Sequence, residues 1–289
     1  MFKNLLFISL SFALLLVACS RPPVQVNRIM VTIEPQRYFA QQLAGSLFEI
    51  ITLVPPGSSP ESYDPTPREM AQLAQSKAYF CIGHIGFEQV WLDRLKSAHP
   101  QVLFFDNSQG VDLISGNHCH DGEAGAHSCT LIDPHTWSSP LQARIIARNM
   151  FNALLELDPE HTEVYRANWE KLQSEIDETD RTVRAYLAHS SQKSFIIYHP
   201  ALTYLARDYG LRQYAIETEG KEPSPEQLKR LVDLAGKEAI RTAFIQQEFN
   251  RKNAEIIAQE TGCRLEVIHP LTYRWREEVI RIAKILSDE

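Results

Sequence analysis

The chain has 289 residues with 36 acidic and 29 basic side chains, a net charge of −7 and no long basic run, a balance that argues against nucleic acid as a partner. Five cysteines are too few for a disulfide-built scaffold. Once a short leader is set aside, about 270 residues are left, which can bury a large core and fit two domains better than one.

The leader comes first. Lys3 precedes an apolar run over residues 5–18, the length of a signal-peptide core and short for a membrane span. The run ends in Leu-Val-Ala-Cys at Cys19, which resembles a lipoprotein signal, cleaved before Cys19 and lipidated on that residue. The alternative is an ordinary secretory signal with an incidental cysteine. The expectation is a signal peptide over 1–18, a linker over 19–27 and a water-soluble body. Several acyl chains would hold that body to a membrane outside the cytoplasm, on the periplasmic side or at the cell surface.

Short apolar runs then alternate with amphipathic helices. "RIMVTI", "FEIITLV", "AYFCIG" and "QVLFFD" read as strands, separated by helices over "PQRYFAQQLAG", "TPREMAQLAQS" and "FEQVWLDRLKSA". Thr66 and Pro67 form a helix-start signal. Residues 107–130 break the rhythm with a long polar loop containing His118, His120 and His127. Cys119 and Cys129 lie within it; a local disulfide or capture of a metal by the pair are both open. Cys81 and Cys263 read as isolated thiols, Cys81 buried in its apolar run.

A helix from the Ser–Pro pair at 139–140 follows, then a helix over 159–189 with no Gly and no Pro after its first residue. Val164, Trp169, Leu172, Ile176, Val183 and Leu187 mark its apolar side. Alternation resumes with strands over "SFIIYH", "RQYAIET", "RTAFIQQ" and "CRLEVIH" and helices between them; Ser224 and Pro225 open one of these. The fold class is therefore α/β. It has two lobes, each with a mostly parallel sheet flanked by helices, joined by one long backbone helix. The lobes span 28–158 and 190–289, with the connecting helix over 159–189.

Three histidines stand beside prolines at widely separated places: Asp133–Pro134–His135, His199–Pro200 and His269–Pro270. The last two end strands, where open parallel sheets place their ligands. Proline fixes its own φ and restricts its neighbour to extended geometry, which pre-orders each imidazole. Glu61 lies in the exit loop of a first-lobe strand, behind Pro55 and Pro56, and Gly57 and nearby serines let that loop adjust. Glu61, His135, His199 and His269 are thus expected to converge between the lobes. Three imidazoles and a carboxylate suit a tetrahedral site for a borderline divalent ion, zinc first. Weaker candidates are Glu248, His84, Trp137, Tyr198 and Tyr273, each also explained by packing or, for Glu248, by helix capping or a pair with Arg251.

The runs "LVPPGSSPESYDPTPREMAQLAQS", "LIDPHTWSSPLQARIIARNM", "YHPALTYLARDYGL" and "VIHPL", with the single long helix, resemble the metal-binding solute-binding lipoproteins of bacterial ABC importers, the zinc and manganese group. The resemblance covers nearly the whole mature chain. It implies a monomer that clamps one divalent ion between its lobes and hands it to an ABC permease, with no enzymatic activity. The family's ligand positions fall on Glu61, His135, His199 and His269. Two depart from its pattern: the first is generally histidine and the last generally acidic. Three histidines and one carboxylate are retained, which points to zinc, with manganese as the alternative. The histidine loop resembles the family's acid- and histidine-rich loop and implies an auxiliary metal site at His118, His120 and His127. Three rival readings are a secreted zinc hydrolase with Glu61 as base, a binding protein for an iron chelate or organic solute, and an adhesin or surface protein that only retains the fold.

Overall fold

The computed structural model describes residues 27–116, 131–217, 223–249 and 251–288. The leader with Cys19 and the loop residues His118, Cys119, His120, His127 and Cys129 lie outside these. Two four-stranded parallel sheets organise the molecule. The first has the order β2-β1-β3-β4, from β1 (Arg28–Val31), β2 (Glu49–Thr52), β3 (Ala78–Cys81) and β4 (Leu103–Asp106). Helices α1 (Glu34–Ala44), α2 (Pro67–Gln75) and α3 (Gly86–Ala98) make its crossovers. The second has the order β10-β9-β7-β8, from β7 (Ser194–Ile197), β8 (Arg212–Ala215), β9 (Thr242–Gln246) and β10 (Arg264–Ile268). Its helices are α6 (Thr203–Asp208), α7 (Pro225–Lys237), α8 (Arg251–Thr261) and the closing α9 (Trp275–Ser287). A two-stranded antiparallel ribbon, β5 (Ser115–Gly116) with β6 (Leu131–Ile132), brackets the polar loop that the sequence left without structure.

The local chemistry of the chain sets the helix starts. Thr66 accepts from Glu69 N while the Glu69 carboxylate accepts from Thr66 N, a reciprocal cap that opens α2. Ser224 and Gln227 repeat the device at α7. Ser139 caps α4 (Pro140–Leu157) by accepting from Leu141 N.

The long helix α5 runs from Thr162 to Ala188, 27 residues and about 40 Å. Residues 159–161 are a separate 3-10 turn, so the helix is shorter at its start than the sequence suggests. Pro159 and the Asp158 carboxylate explain this, since Asp158 is held by His161 Nδ1 and the Tyr165 hydroxyl. Tyr165, Leu172, Ile176, Thr179, Val183 and Leu187 are the buried face, packed on α1, α4 and α9. Val164, expected on that face, is 45% exposed, and Tyr165 takes its place.

The lobes share one core. Ile29 and Phe80 of the first sheet belong to the same apolar cluster as Phe195, Ile197, Phe244 and Ile268 of the second. The alternate residues Ile196, Ala243 and Ile245 face the other way, into a smaller core under α7 and α8. Cys81 and Cys263 are free and buried, and burial pushes the Cys81 thiol well above its ordinary range and raises that of Cys263.

Buried hydrogen bonds stitch the seam. Trp137 Nε1 donates to Pro270 O at 3.0 Å, and Trp275 Nε1 donates to Trp137 O at 2.7 Å. Asp208 on α6 accepts from Ser139 Oγ and Gln142 Nε2 at 2.5 and 2.8 Å. Tyr204 on α6 donates to Asp133 O at 2.7 Å. Segment 133–142, first-lobe by sequence, is therefore bonded to the second lobe. A continuous core and the hydrogen bonds across the seam resist hinge opening. Solution scattering curves recorded with and without a bound divalent ion are expected to superimpose; a measurable contraction on loading would contradict this.

Candidate metal centre

The site lies where strand order reverses in the second sheet, between β7 and β9. His199 follows β7, and Gln246 ends β9. Gln246 grips the histidine's backbone from both sides: Nε2 donates to His199 O at 2.7 Å, and Oε1 accepts from His199 N at 3.3 Å. Register brings the next partner. Ile197 pairs with Ala215 across β7 and β8, so two residues on, His199 stands beside Glu217. The two meet: His199 Nδ1 lies 2.7 Å from Glu217 Oε1.

His135 is built in the same way. Its Nδ1 lies 2.9 Å from Asp133 Oδ1, and the same oxygen accepts from His135 N at 2.9 Å. Each ring thus gives its Nδ1–H to a buried or nearly buried carboxylate, which fixes the tautomer. Each then presents a bare Nε2, and the two Nε2 atoms face one another at 3.1 Å. A proton on one of the two nitrogens, or a metal ion that both coordinate, completes a contact of this length. Burial lowers the pKa of His135, but Asp133 beside it, then Glu61 and Glu217, raise it more, and the net direction is up. The environment asks for positive charge at this point.

Glu61 completes the group. Its carboxylate and the two Nε2 atoms can each offer one atom, all within 4.8 Å of one another. Oε2 accepts from Gly86 N, the first residue of α3, at 3.1 Å. Oε1 is buried and has no hydrogen-bond partner. A buried carboxylate oxygen with nothing to accept from is costly unless an ion satisfies it. Behind Gly86 stands Glu88, which accepts from Ile82 N, Gly83 N and Thr32 Oγ1 and so pins the loop after β3.

The structure therefore brings together Glu61, His135 and His199 of the four expected residues. His269 is not in the group, nor among the residues lining the space. The reason is register. Ile268 pairs with Gln246, so His269 begins beyond β9, with β9 itself between β10 and β7. Two strand spacings put the backbones of β10 and β7 about 9.5 Å apart. The His269 backbone is further tied down, its N donating to Glu278 Oε1 at 2.7 Å. Its neighbours Pro270 and Leu271 do line the space, with Trp137, Phe249 and Glu248. Phe249 stacks on His199 at 5.2 Å, and Trp137 lies 5.3 Å from His135.

Among the weaker candidates, Glu248 and Trp137 line the space and His84, Tyr198 and Tyr273 do not. Arg251 pairs with Glu255 rather than with Glu248. Tyr273 packs against Tyr38 under Arg37. Asp133 and Glu217, which orient the imidazoles, were missed as such by sequence reasoning. The carboxylate two residues before His135 was a visible signal. Glu217 becomes visible only once β8 is placed beside β7.

The comparisons with known proteins agree with this architecture. Residues 29–278 match the family described as the zinc-uptake complex component A, periplasmic. The high-affinity zinc uptake system protein ZnuA of Bacillus subtilis is 25% identical, covering 94% of this chain and 90% of its own. The zinc-binding lipoprotein AdcA of Streptococcus pneumoniae is 28% identical over 90% of this chain and 53% of its own. A crystal structure of ZnuA superimposes with a TM-score of 0.83 at 33% identity, covering 91% of this chain and 98% of its own. The zinc-hydrolase reading finds no support in them.

Two predictions follow from the geometry. Asp133→Asn and Glu217→Gln are each expected to weaken metal binding about 10- to 100-fold by freeing a ring, read by calorimetric titration. For Glu88, burial is the leading cause of a pKa raised to about 7 from the ordinary 4.5. The folded state thus holds this proton more tightly than the unfolded chain. Its contribution to stability is present below pH 4.5 and is lost as pH rises through 7. Urea unfolding at several pH values should show Glu88→Gln lacking that decline; parallel curves for the two proteins would refute it.

From these matches and the shared two-lobe architecture, the chain belongs to the family of periplasmic zinc-uptake component A proteins.

Proposed function

We propose that this protein captures one zinc ion at the seam between its lobes and delivers it to an ABC permease. Glu61, His135 and His199 are the proposed ligands. One observation carries the reading: two carboxylate-anchored imidazoles aim bare Nε2 atoms at each other 3.1 Å apart, beside a buried carboxylate oxygen without a partner. Zinc–nitrogen bonds of about 2.05 Å at a tetrahedral angle span an edge of about 3.3 Å, close to this separation.

Two imidazoles and a carboxylate favour zinc over manganese, which prefers more oxygen. The space these residues line leaves about 30 Å³ for the centre of a water-sized sphere, which suits an ion and a water. The names of the Bacillus and Streptococcus relatives support the same metal.

For the fourth position two side chains compete. Glu248 lines the space, whereas His269 does not, so the lining favours Glu248. Attachment through a lipid on Cys19, an auxiliary site at His118, His120 and His127, and a monomeric state belong to the same proposal. The Leu-Val-Ala-Cys sequence and the lipoprotein name of the Streptococcus relative support the anchor.

Calorimetry on the purified chain is expected to give about one tight zinc per molecule. His135→Ala and His199→Ala should each lose more than the 10- to 100-fold typical of an outer partner. Unchanged affinity in both would remove the proposed site. Retained affinity in His269→Ala with a loss in Glu248→Ala assigns the fourth position to Glu248; the reverse pattern assigns it to His269. Zinc at 100 times its Kd should also stabilise the fold by about 2.7 kcal/mol, read as a rise in Tm.

A further inference from the structure

The ligand from the first lobe is the one furthest from the imidazole pair's supporting network, and its placement depends on a residue with no side chain. Gly86 opens α3, and its N–H holds Glu61 Oε2 at 3.1 Å. Phe87 N, one residue on, holds Pro60 O at 3.1 Å, so the first turn of the helix grips the Glu61 loop at two points. The approach is closer than any side chain allows. A Cβ on Gly86 would lie 2.5 Å from Glu61 O and 2.8 Å from Glu61 Oε2. Gly86 does not adopt a left-handed backbone, so glycine is needed here for space and not for conformation.

The grip also decides which oxygen is free. With Oε2 engaged by the helix start, where the helix dipole favours negative charge, Oε1 is left buried and without a partner. The carboxylate is thereby held to a single available oxygen. A monodentate carboxylate matches a tetrahedral shell, while a freely rotating one can present both oxygens to ions of higher coordination number.

We infer that Gly86 is a positioning residue for metal binding: by omitting a Cβ it lets the α3 N-terminus hold Glu61 as a one-oxygen ligand. The inference rests on the zinc-capture reading above. It acts on affinity through Glu61, with no contact of its own to the ion.

The test is a double-mutant cycle with zinc as probe, on the full mature chain. Wild type, Gly86→Ala, Glu61→Ala and the double variant are titrated, and the Tm of each apo protein is recorded. Gly86→Ala is expected to weaken zinc binding about 10- to 100-fold, the range for loss of a ligand's outer support. In the Glu61→Ala background the same change should have no further effect. The Cβ that meets Glu61 O is expected to lower the apo Tm as well, so each titration is run well below the Tm of its variant, on folded protein. Equal losses in both backgrounds, or no loss where Glu61 is intact, would overturn the inference while leaving zinc capture intact. Absence of zinc binding by the wild type would instead sink the capture reading. If the alanine protein folds poorly, Glu61→Asp with Gly86 intact is the second variant: its shorter side chain is expected to leave the Gly86 N–H and lose affinity, and zinc affinity equal to wild type would also overturn the inference.

Discussion

Two imidazole nitrogens pointed at each other across 3.1 Å, each with its far nitrogen tied to a carboxylate, form the constraint that organises this molecule. Such a pair is complete only with a proton or a metal ion shared by the two rings, and much of the surrounding structure holds the rings in place for it. Gln246 clamps one histidine's backbone, and Asp133 wraps the other's. The tryptophans that cross between Trp137, Pro270 and Trp275 weld the supporting loop to the closing helix. The fold spends its buried polar groups at the place where charge is wanted.

This arrangement recasts the division into lobes. The chain changes halves at α5, but the bonding changes halves earlier. Residues 133–142 are bonded to the second sheet and its helices, so His135 and His199 sit on one rigid unit. Only Glu61 is contributed by the first sheet's side, through the start of α3. The ligand set is therefore asymmetric: a preformed nitrogen pair meets a carboxylate carried by another loop. A preformed pair lowers the ordering cost of binding, because most of the entropy is lost when the chain folds.

Much of this was readable beforehand, for definite reasons. Parallel strands covered on both faces appear as continuous apolar runs, which is why the strand–helix alternation and sheet type could be read off directly. Thr66, Ser139 and Ser224 announced three helix starts through the chemistry of their hydroxyls and the prolines that follow. Glu61, His135 and His199 stood out because strand ends and prolines are local signals. What could not be read is lateral order. The meeting of His199 with Glu217 needs β8 beside β7, and the separation of His269 needs β9 between β10 and β7. Both are facts about neighbours across a sheet, and hydrophobic periodicity carries no trace of them. Gly86 was hidden for a related reason: a missing atom leaves no mark until another segment lies against it.

The two buried thiols have a bearing on selectivity. Cys81 ends β3 and Cys263 directly precedes β10, both with their acidity suppressed first by burial. Sulfur is the most avid protein donor for a soft or borderline cation, but only as thiolate. Buried, with thiols raised above their ordinary range, these two are held away from the thiolate form in which sulfur binds metal. Within the described residues, an arriving ion thus meets nitrogen and oxygen alone, and a carrier built on exchangeable donors can release what a sulfur cage would keep.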